Sequence, residues 1–439
     1  MSKEMKKRMV PKLRFPEFLG AKEWDVKKVD ELGQTLNGLT GKTASDFGSG
    51  KPFVTYKQVF DSAWIDFEKC ARVTIADGEN QNELHLGDIL ITTSSETPEE
   101  VGFASVIMAS PPESLYLNSF CFALRPHNLN TLKPQFSQYI FRSSIYRKLV
   151  QVLAQGSTRF NISKGSFLEL SLPIPLEKEQ QKIADCLSSL DDLITAQAQK
   201  LKALQAHKKG LMQEVFPAEG ERVPRRRFGE FEGAGEWEVD IFDGLLEVID
   251  GDRGINYPKA EDFYNPEHCV FLNAKNVTKN GFSFNEIQCI TKGKDESLRK
   301  GKLKRSDIVL TTRGSVGQFA IYNKEVPFDN LRINSGMVIL RVNKELISPE
   351  YFYHFCKSDL VSSTVKNLAF GNAQQQLTVA IIKQLPLYFP KKDEQQKLAS
   401  LLTSLDDLIT AHTQKLEALK AHKKGLMQQL FPDPNEIEA

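Results

Sequence analysis

Residues Gly38 to Thr43 read GLTGKT. They look like the end of a phosphate-binding loop, in which glycine amides cradle phosphate oxygens and a lysine and a hydroxyl reach the terminal phosphate and its magnesium. The first glycine of that pattern would stand at position 36, which is leucine, so nucleotide hydrolysis is not supported. Paired carboxylates, Asp191-Asp192 and Asp406-Asp407, have the type for acid–base or metal chemistry. Each pair lies on the flank of a helical apolar seam, where charged surface explains it better. Six cysteines (Cys70, Cys121, Cys186, Cys269, Cys289, Cys356) show no CxxC spacing, and the seven histidines form no HxxxH pair. Neither structural zinc nor a disulfide framework is expected. There is no Asn/Asp-Pro-Pro-aromatic methyltransferase motif, no glycine-rich cofactor loop and no readable Ser-His-Asp pattern. The chain is expected to do no chemistry itself, with no metal site.

The elements that would carry any function are written twice. EQQKIADCLSSLDDLITAQAQKLKALQAHKKGLMQEVFP, from Glu179, returns 215 residues later from Glu394 with 29 of 39 positions identical. VPKLRFPEFLGAKEW, from Val10, is answered by VPRRRFGEFEGAGEW from Val223. The chain is two copies of one plan.

Apolar residues of the long repeat alternate in steps of four and three, as a coiled-coil seam requires. In the first copy they include Leu187, Leu190, Ile194, Leu201 and Leu204, and in the second Leu402, Leu405, Ile409, Leu416 and Leu419. Gln197, Lys208, His412 and Lys423 are polar seam positions that restrict register. Each repeat has Asp-Asp near its start and His-Lys-Lys near its end. A parallel pair would stack like charges, whereas an antiparallel pair sets Asp191 beside Lys423 and Asp406 beside Lys208. An antiparallel coiled coil about 50 Å long is predicted, comparable to ~15 base pairs, with globular regions at opposite ends about a pseudo-twofold axis.

With 439 residues, 41% apolar and 26% charged, two to three ordinary globular domains are expected. The boundaries fall at 1–177 and 218–390 for the globular regions, 178–217 and 391–432 for the helices, and 433–439 for a tail. The basic N-terminus lacks the following apolar run of a signal peptide, and no window would span a bilayer. A cytoplasmic protein with no membrane partner is predicted. Net charge is only +1, so any nucleic-acid face must come from arrangement. The run KGKDESLRKGKLKR, Lys292 to Arg305, holds seven cations against two acids and reads as a solvated loop or a phosphate contact. The globular regions read as mixed α and β. HLGDILITTSS and KRSDIVLTTRGS are strands entering polar turns, helical stretches follow, and proline-punctuated strands lead into the long helices.

The order of these pieces resembles the DNA-specificity subunit of Type I restriction-modification systems. The resemblance rests on RFPEF with a following tryptophan, DILITT and DIVLTT, GSTRFNI, a proline-rich strand before EQQK, and LDDLI helices, most of them duplicated. It implies an α+β fold with two mixed α/β target-recognition domains separated by two long helices forming the antiparallel coiled coil. It implies double-stranded DNA as ligand, with methyltransferase (modification) subunits and restriction/translocase subunits as partners. S-adenosylmethionine, ATP and Mg would be used by those partners and no cofactor by this chain. Within the resemblance, Arg159 and Asn161 beside Ser157 and Thr158 offer fork-shaped hydrogen bonding to a phosphate or base edge. Thr92, Thr93 and Ser94 form a companion turn. The second domain offers Asn372, Gln374 and Gln375, with Thr311, Thr312, Arg313 and Ser315. Lys42, Lys57 and Arg253, the last between glycines that allow close backbone approach, complete the set. Ser94 stands where the second copy has Arg313, so identical contacts are not expected in both domains. The alternative is a tandem-repeat coiled-coil scaffold without DNA specificity. It explains the helices but leaves the duplicated polar turns unexplained.

Overall fold

The computed structural model describes residues 9–370 and 377–433. It divides into two compact units, residues 1–198 with 414–439, and residues 199–413. The division runs through both long helices, Glu177–Val215 and Lys392–Gln429. Each unit therefore holds one globular domain, the N-terminal half of one helix and the C-terminal half of the other.

The apolar runs DILIT and DIVLT become the inner strands of four-stranded antiparallel sheets, because strands buried on both faces read as continuous apolar stretches. In unit 1 the strand order is Gly33–Asn37, Cys121–Pro126, Ile89–Thr92, Ala104–Val106. In unit 2 it is Leu246–Asp250, Met337–Val342, Ile308–Thr311, Phe319–Ile321. A three-stranded sheet accompanies each, with Phe47–Val54 central in unit 1 and Cys269–Leu272 central in unit 2. The aspartate that opens each inner strand is buried and takes a bidentate arginine. Asp88 accepts from Arg125 at 2.7 and 2.8 Å, and Asp307 from Arg341 at 2.7 and 2.9 Å.

The helical stretches that follow the sheets are each a pair of helices. Pro134–Ile140 is followed by Ser144–Gln151, and Pro349–Cys356 by Asp359–Phe370. In unit 1 Ser143 makes the break, since its hydroxyl accepts the amide of Tyr146 and so starts a new helix. Arg142, beside the break, donates to the carbonyls of Val59, Phe60, Ser62 and Ala104.

The shared EQQK and RF motifs are anchors. Arg14 forks onto Glu179, both contacts at 2.7 Å, and Trp24 donates to the same carboxylate at 3.2 Å. Gln180 accepts the Lys133 amide and donates to the carbonyls of Thr131 and Pro175. Unit 2 repeats the arginine and glutamine bonds. Arg227 forks onto Glu394, and Gln395 joins the Ser348 amide to the carbonyls of Leu346 and Pro390. Each globular domain is thereby tied to the first turn of the long helix that follows it.

In both units the paired half-helices run antiparallel, as the charge pattern requires. Lys423 meets Asp191 at 2.5 Å in unit 1, and Lys208 meets Asp406 at 2.5 Å in unit 2. The predicted seam leucines and isoleucines are all buried or half-buried, and Gln197 and Lys208 are buried among them. Asp191 also accepts the Tyr139 hydroxyl at 3.0 Å, fastening the domain to the seam. At the matching place in unit 2 stands His354, with Nε2 3.0 Å from Thr403 Oγ1 and Nδ1 3.8 Å from Asp406.

Burial first, then Lys208 and Lys357, push the His354 pKa down to about 3, with Asp406 pulling the other way. The unfolded chain takes this proton near the ordinary value of 6.5 while the folded chain refuses it. Stability therefore falls as pH drops below 6.5, until the folded-state value is reached. His354→Gln, which does not titrate, is expected to flatten this acid-side loss. Thermal melts of variant and wild type between pH 7.5 and 4.5 check it, and parallel curves would remove the assignment.

Among the described residues no helix is long and apolar enough to cross a membrane. No His, Cys, Asp and Glu cluster there could hold a metal ion.

Candidate nucleic-acid interface

A strand that ends in Thr-Thr leaves its last amides and carbonyls for turns to satisfy, and both units solve this in the same way. In unit 1 the Thr93 amide donates to the Phe120 carbonyl at 3.0 Å, and the Thr93 carbonyl accepts the Ile162 amide at 2.9 Å. In unit 2 Thr312 donates to Gly336 at 2.8 Å and accepts from Leu377 at 3.2 Å. Three distant segments thus meet at one edge of each sheet. The equivalence also sets Ser94 at the place of Arg313.

In unit 1 this brings together most of the expected turn residues. Ser94-Ser95 pair with Phe160-Asn161 as a short antiparallel ladder. Ser157, Thr158, Arg159 and Asn161 are exposed. The turn is possible because Gly156 adopts φ 137°, which side-chain-bearing residues avoid. The Arg159 guanidinium lies 5.6 Å from the centroid of the Phe120 ring, and Phe120 is itself 53% exposed. Tyr56 donates to the Ser94 carbonyl at 2.6 Å, and Lys57, next to it in the first turn of the helix Tyr56–Asp61, is exposed.

Several expectations need correcting. Thr92 and Ser94 are buried, as are Thr311 and Thr312, so their side chains do not face solvent. Thr311 illustrates this, with its hydroxyl bound to the Ser315 carbonyl and the Gln318 amide. Thr93 gives its hydroxyl to the Phe120 carbonyl at 2.6 Å. Lys42 is only 9% exposed at its side chain and is paired with Glu79, so its charge is already neutralised.

In unit 2 two arginine-bearing loops converge on the segment Ser335-Gly336. Arg313 and Ser315 are exposed, and the Arg313 amide reaches the Gly336 carbonyl at 3.3 Å. Arg253 approaches the Ser335 carbonyl at 3.4 Å and pairs with Asp250 at 3.2 Å. The loop bearing Arg253 is held by Asp252, whose carboxylate accepts the amides of Gly254, Arg299 and Lys300. Those bonds, Gly254's first, keep its pKa below the ordinary carboxylate value. Asn372, Gln374 and Gln375 lie outside the described residues. The basic run from Lys292 is largely spent on partners, since Lys294 pairs with Asp262, Lys302 with Asp295 and Arg305 with Asp329. Sequence reasoning missed Phe120, Tyr56 and Arg299, because only the closing of loops distant in sequence brings them to these edges.

Two divergent recognition domains, each presenting polar and basic turns at a sheet edge and each anchored to one of two duplicated helices, define a class of two-domain DNA-specificity protein. The model of the Type I restriction modification DNA specificity domain matches residues 21–206 and 235–421, and the chain belongs to that family. It is 25% identical over 418 residues to the putative type I restriction enzyme MjaX specificity subunit of Methanocaldococcus jannaschii, covering 93% of each chain. It is 23% identical over 330 residues to the type I restriction enzyme EcoKI specificity subunit of Escherichia coli, covering 72% of this chain and 67% of that one. In fold it is similar to the Type-I restriction-modification S subunit from M. genitalium, with a TM-score of 0.61, 15% identity, and 97% and 100% of the two chains covered. It is similar also to a chain from a study of complex assembly and conformational transition of the type I R-M system, with a TM-score of 0.58, 14% identity, and 93% and 97% covered. The chain is thus the DNA specificity subunit of a Type I restriction-modification system, a non-catalytic member of a multisubunit assembly. The scaffold alternative falls with the family match.

Proposed function

We propose that each globular domain reads one half of a bipartite, asymmetric double-stranded DNA site, and that the long helices set the gap between the halves. The readers are residues 1–177 and 218–390, the spacers 178–217 and 391–432, with 433–439 a tail. Methyltransferase subunits dock on this chain and methylate adenines. Restriction/translocase subunits join to cut unmodified DNA in the cytoplasm. S-adenosylmethionine, ATP and Mg serve those partners. Arg159, Asn161, Ser157, Thr158 and Lys57 face one half-site and Arg253, Arg313 and Ser315 the other, with Asn372, Gln374 and Gln375 added to the second.

The observation that carries this is divergence at matched positions. The framework bonds of Thr93 and Thr312 are the same, while the residue that follows is a buried serine in one domain and an exposed arginine in the other. Identical readers would select a palindrome, whereas readers differing at their contact turns select two unlike halves. A genome-wide adenine-methylation map of cells carrying the partner methyltransferase, with and without this chain, tests the reading. One split motif is expected to depend on the chain, and exchange of residues 223–390 for those of a relative is expected to change only one half. A motif that changes in both halves, or none at all, would sink the proposal.

A further inference from the structure

An apolar side chain left in water on a tethered loop has no folding role, since neither burial nor loop entropy favours it. Ile255, in the loop GDRGINY from Gly251 to Tyr257, is 97% exposed. The loop around it is tied down on both sides. Before Ile255, the Gly254 amide donates to the buried Asp252 carboxylate at 2.7 Å, and the same carboxylate accepts the Arg299 amide at 2.7 Å. After it, Asn256 donates to the Ser297 carbonyl at 3.1 Å, and the Tyr257 amide to the Gly254 carbonyl at 3.0 Å. The Tyr257 ring stands edge-on to Phe271 with centroids 5.7 Å apart.

Arginines belong to this loop and to its neighbours. Arg253 precedes the tip and its guanidinium touches Ser335, while the backbone amide of Arg313 is bonded to the adjacent Gly336. The Arg299 guanidinium lies so close to Gly254 that a side chain there would strike it. Arginines around an exposed aliphatic tip suit a DNA groove. The guanidinium groups meet phosphates or base edges, and the aliphatic group meets the one apolar group that a base pair presents in the major groove, the 5-methyl of thymine.

The matching loop of unit 1 carries no such tip. Gly38 and Gly251 are matched, because a side chain at either would run into a carbonyl, that of Asn118 or of Asn334. Counting on from them sets Lys42 at the place of Ile255, and Lys42 is turned to Glu79.

We propose that Ile255 is a specificity-determining residue that contacts the methyl group of a thymine in the half-site read by unit 2. This rests on the DNA-reading assignment above. The test uses the complete methyltransferase complex and duplexes carrying the mapped motif, with each thymine of that half replaced in turn by deoxyuridine, which removes only the methyl group. One replacement is expected to weaken wild-type binding about fourfold, the effect of one buried methyl group. Ile255→Ala is expected to bind the thymine duplex correspondingly less well and to ignore that replacement. Equal responses of wild type and Ile255→Ala to every deoxyuridine would overturn the proposal. A half-site without an A·T pair would also overturn it, as would a variant weakened alike on all sequences, which indicates a wedge or a loop effect. Wild-type complex without any sequence preference would overturn the DNA-reading assignment itself, and the proposal with it. A thermal melt unchanged in Ile255→Ala excludes misfolding as the cause.

Discussion

Glu179→Ala is expected to destabilise the subunit by about 3–5 kcal/mol, the cost of leaving a buried charge without its partner. The Arg14 side chain is 4% exposed and that of Glu179 1%, so water cannot replace the lost carboxylate. Arg14 also donates to the carbonyls of Ala21 and Lys22, but these neutral acceptors do not balance its charge. Trp24 would lose its acceptor at the same time. Glu394→Ala should act likewise in unit 2, where Arg227 is buried against it at 2.7 Å. Urea unfolding followed by tryptophan fluorescence measures both. Replacing pair members together, Arg14→Met with Glu179→Leu, should cost less than Glu179→Ala alone, because no uncompensated charge remains. A loss below about 1 kcal/mol for the single variant would mean that the pair behaves as a surface pair.

The second large effect is expected from Lys208→Asp, which sets two carboxylates together in a seam that now holds an ammonium 2.5 Å from Asp406. Like charges so placed cost several kcal/mol, and His354 and the half-buried helix flank leave little water to screen them. Adding Asp406→Lys reverses the pair and should recover much of the loss, a coupling that distant residues do not show. The sign reports on orientation. In a parallel helix pair Lys208 would oppose Lys423, and Lys208→Asp would then stabilise. Melting temperatures of wild type, single and double variants decide between these outcomes.

These two pairs show how far the sequence could be followed. The antiparallel helices were legible because a heptad seam is a local pattern and because Asp-Asp and His-Lys-Lys at opposite ends allow one favourable alignment. The inner strands were legible for a similar reason, as DILIT and DIVLT are short apolar runs closed by polar turns. Arg14 and Glu179, by contrast, lie 165 residues apart, and no periodicity links them. EQQK could be recognised as duplicated, but the reason, a carboxylate and an amide that clamp the preceding domain, needed the folded chain. The polar turns were half legible. Arg159, Asn161, Arg253 and Arg313 have hydrogen-bonding side chains and are exposed, whereas Thr92 and Thr311 have them too and are buried.

By itself the sequence determined the duplication, the helix pairing and the family, because each is carried by residues close along the chain or repeated at a constant interval. Tertiary structure alone decided which side chains remain available to a ligand. Lys42 finds Glu79, Thr93 finds the Phe120 carbonyl, and Ile255 finds nothing. Availability depends on whether a distant group comes within hydrogen-bonding or packing distance, and only the closing of loops onto the sheet edge settles that.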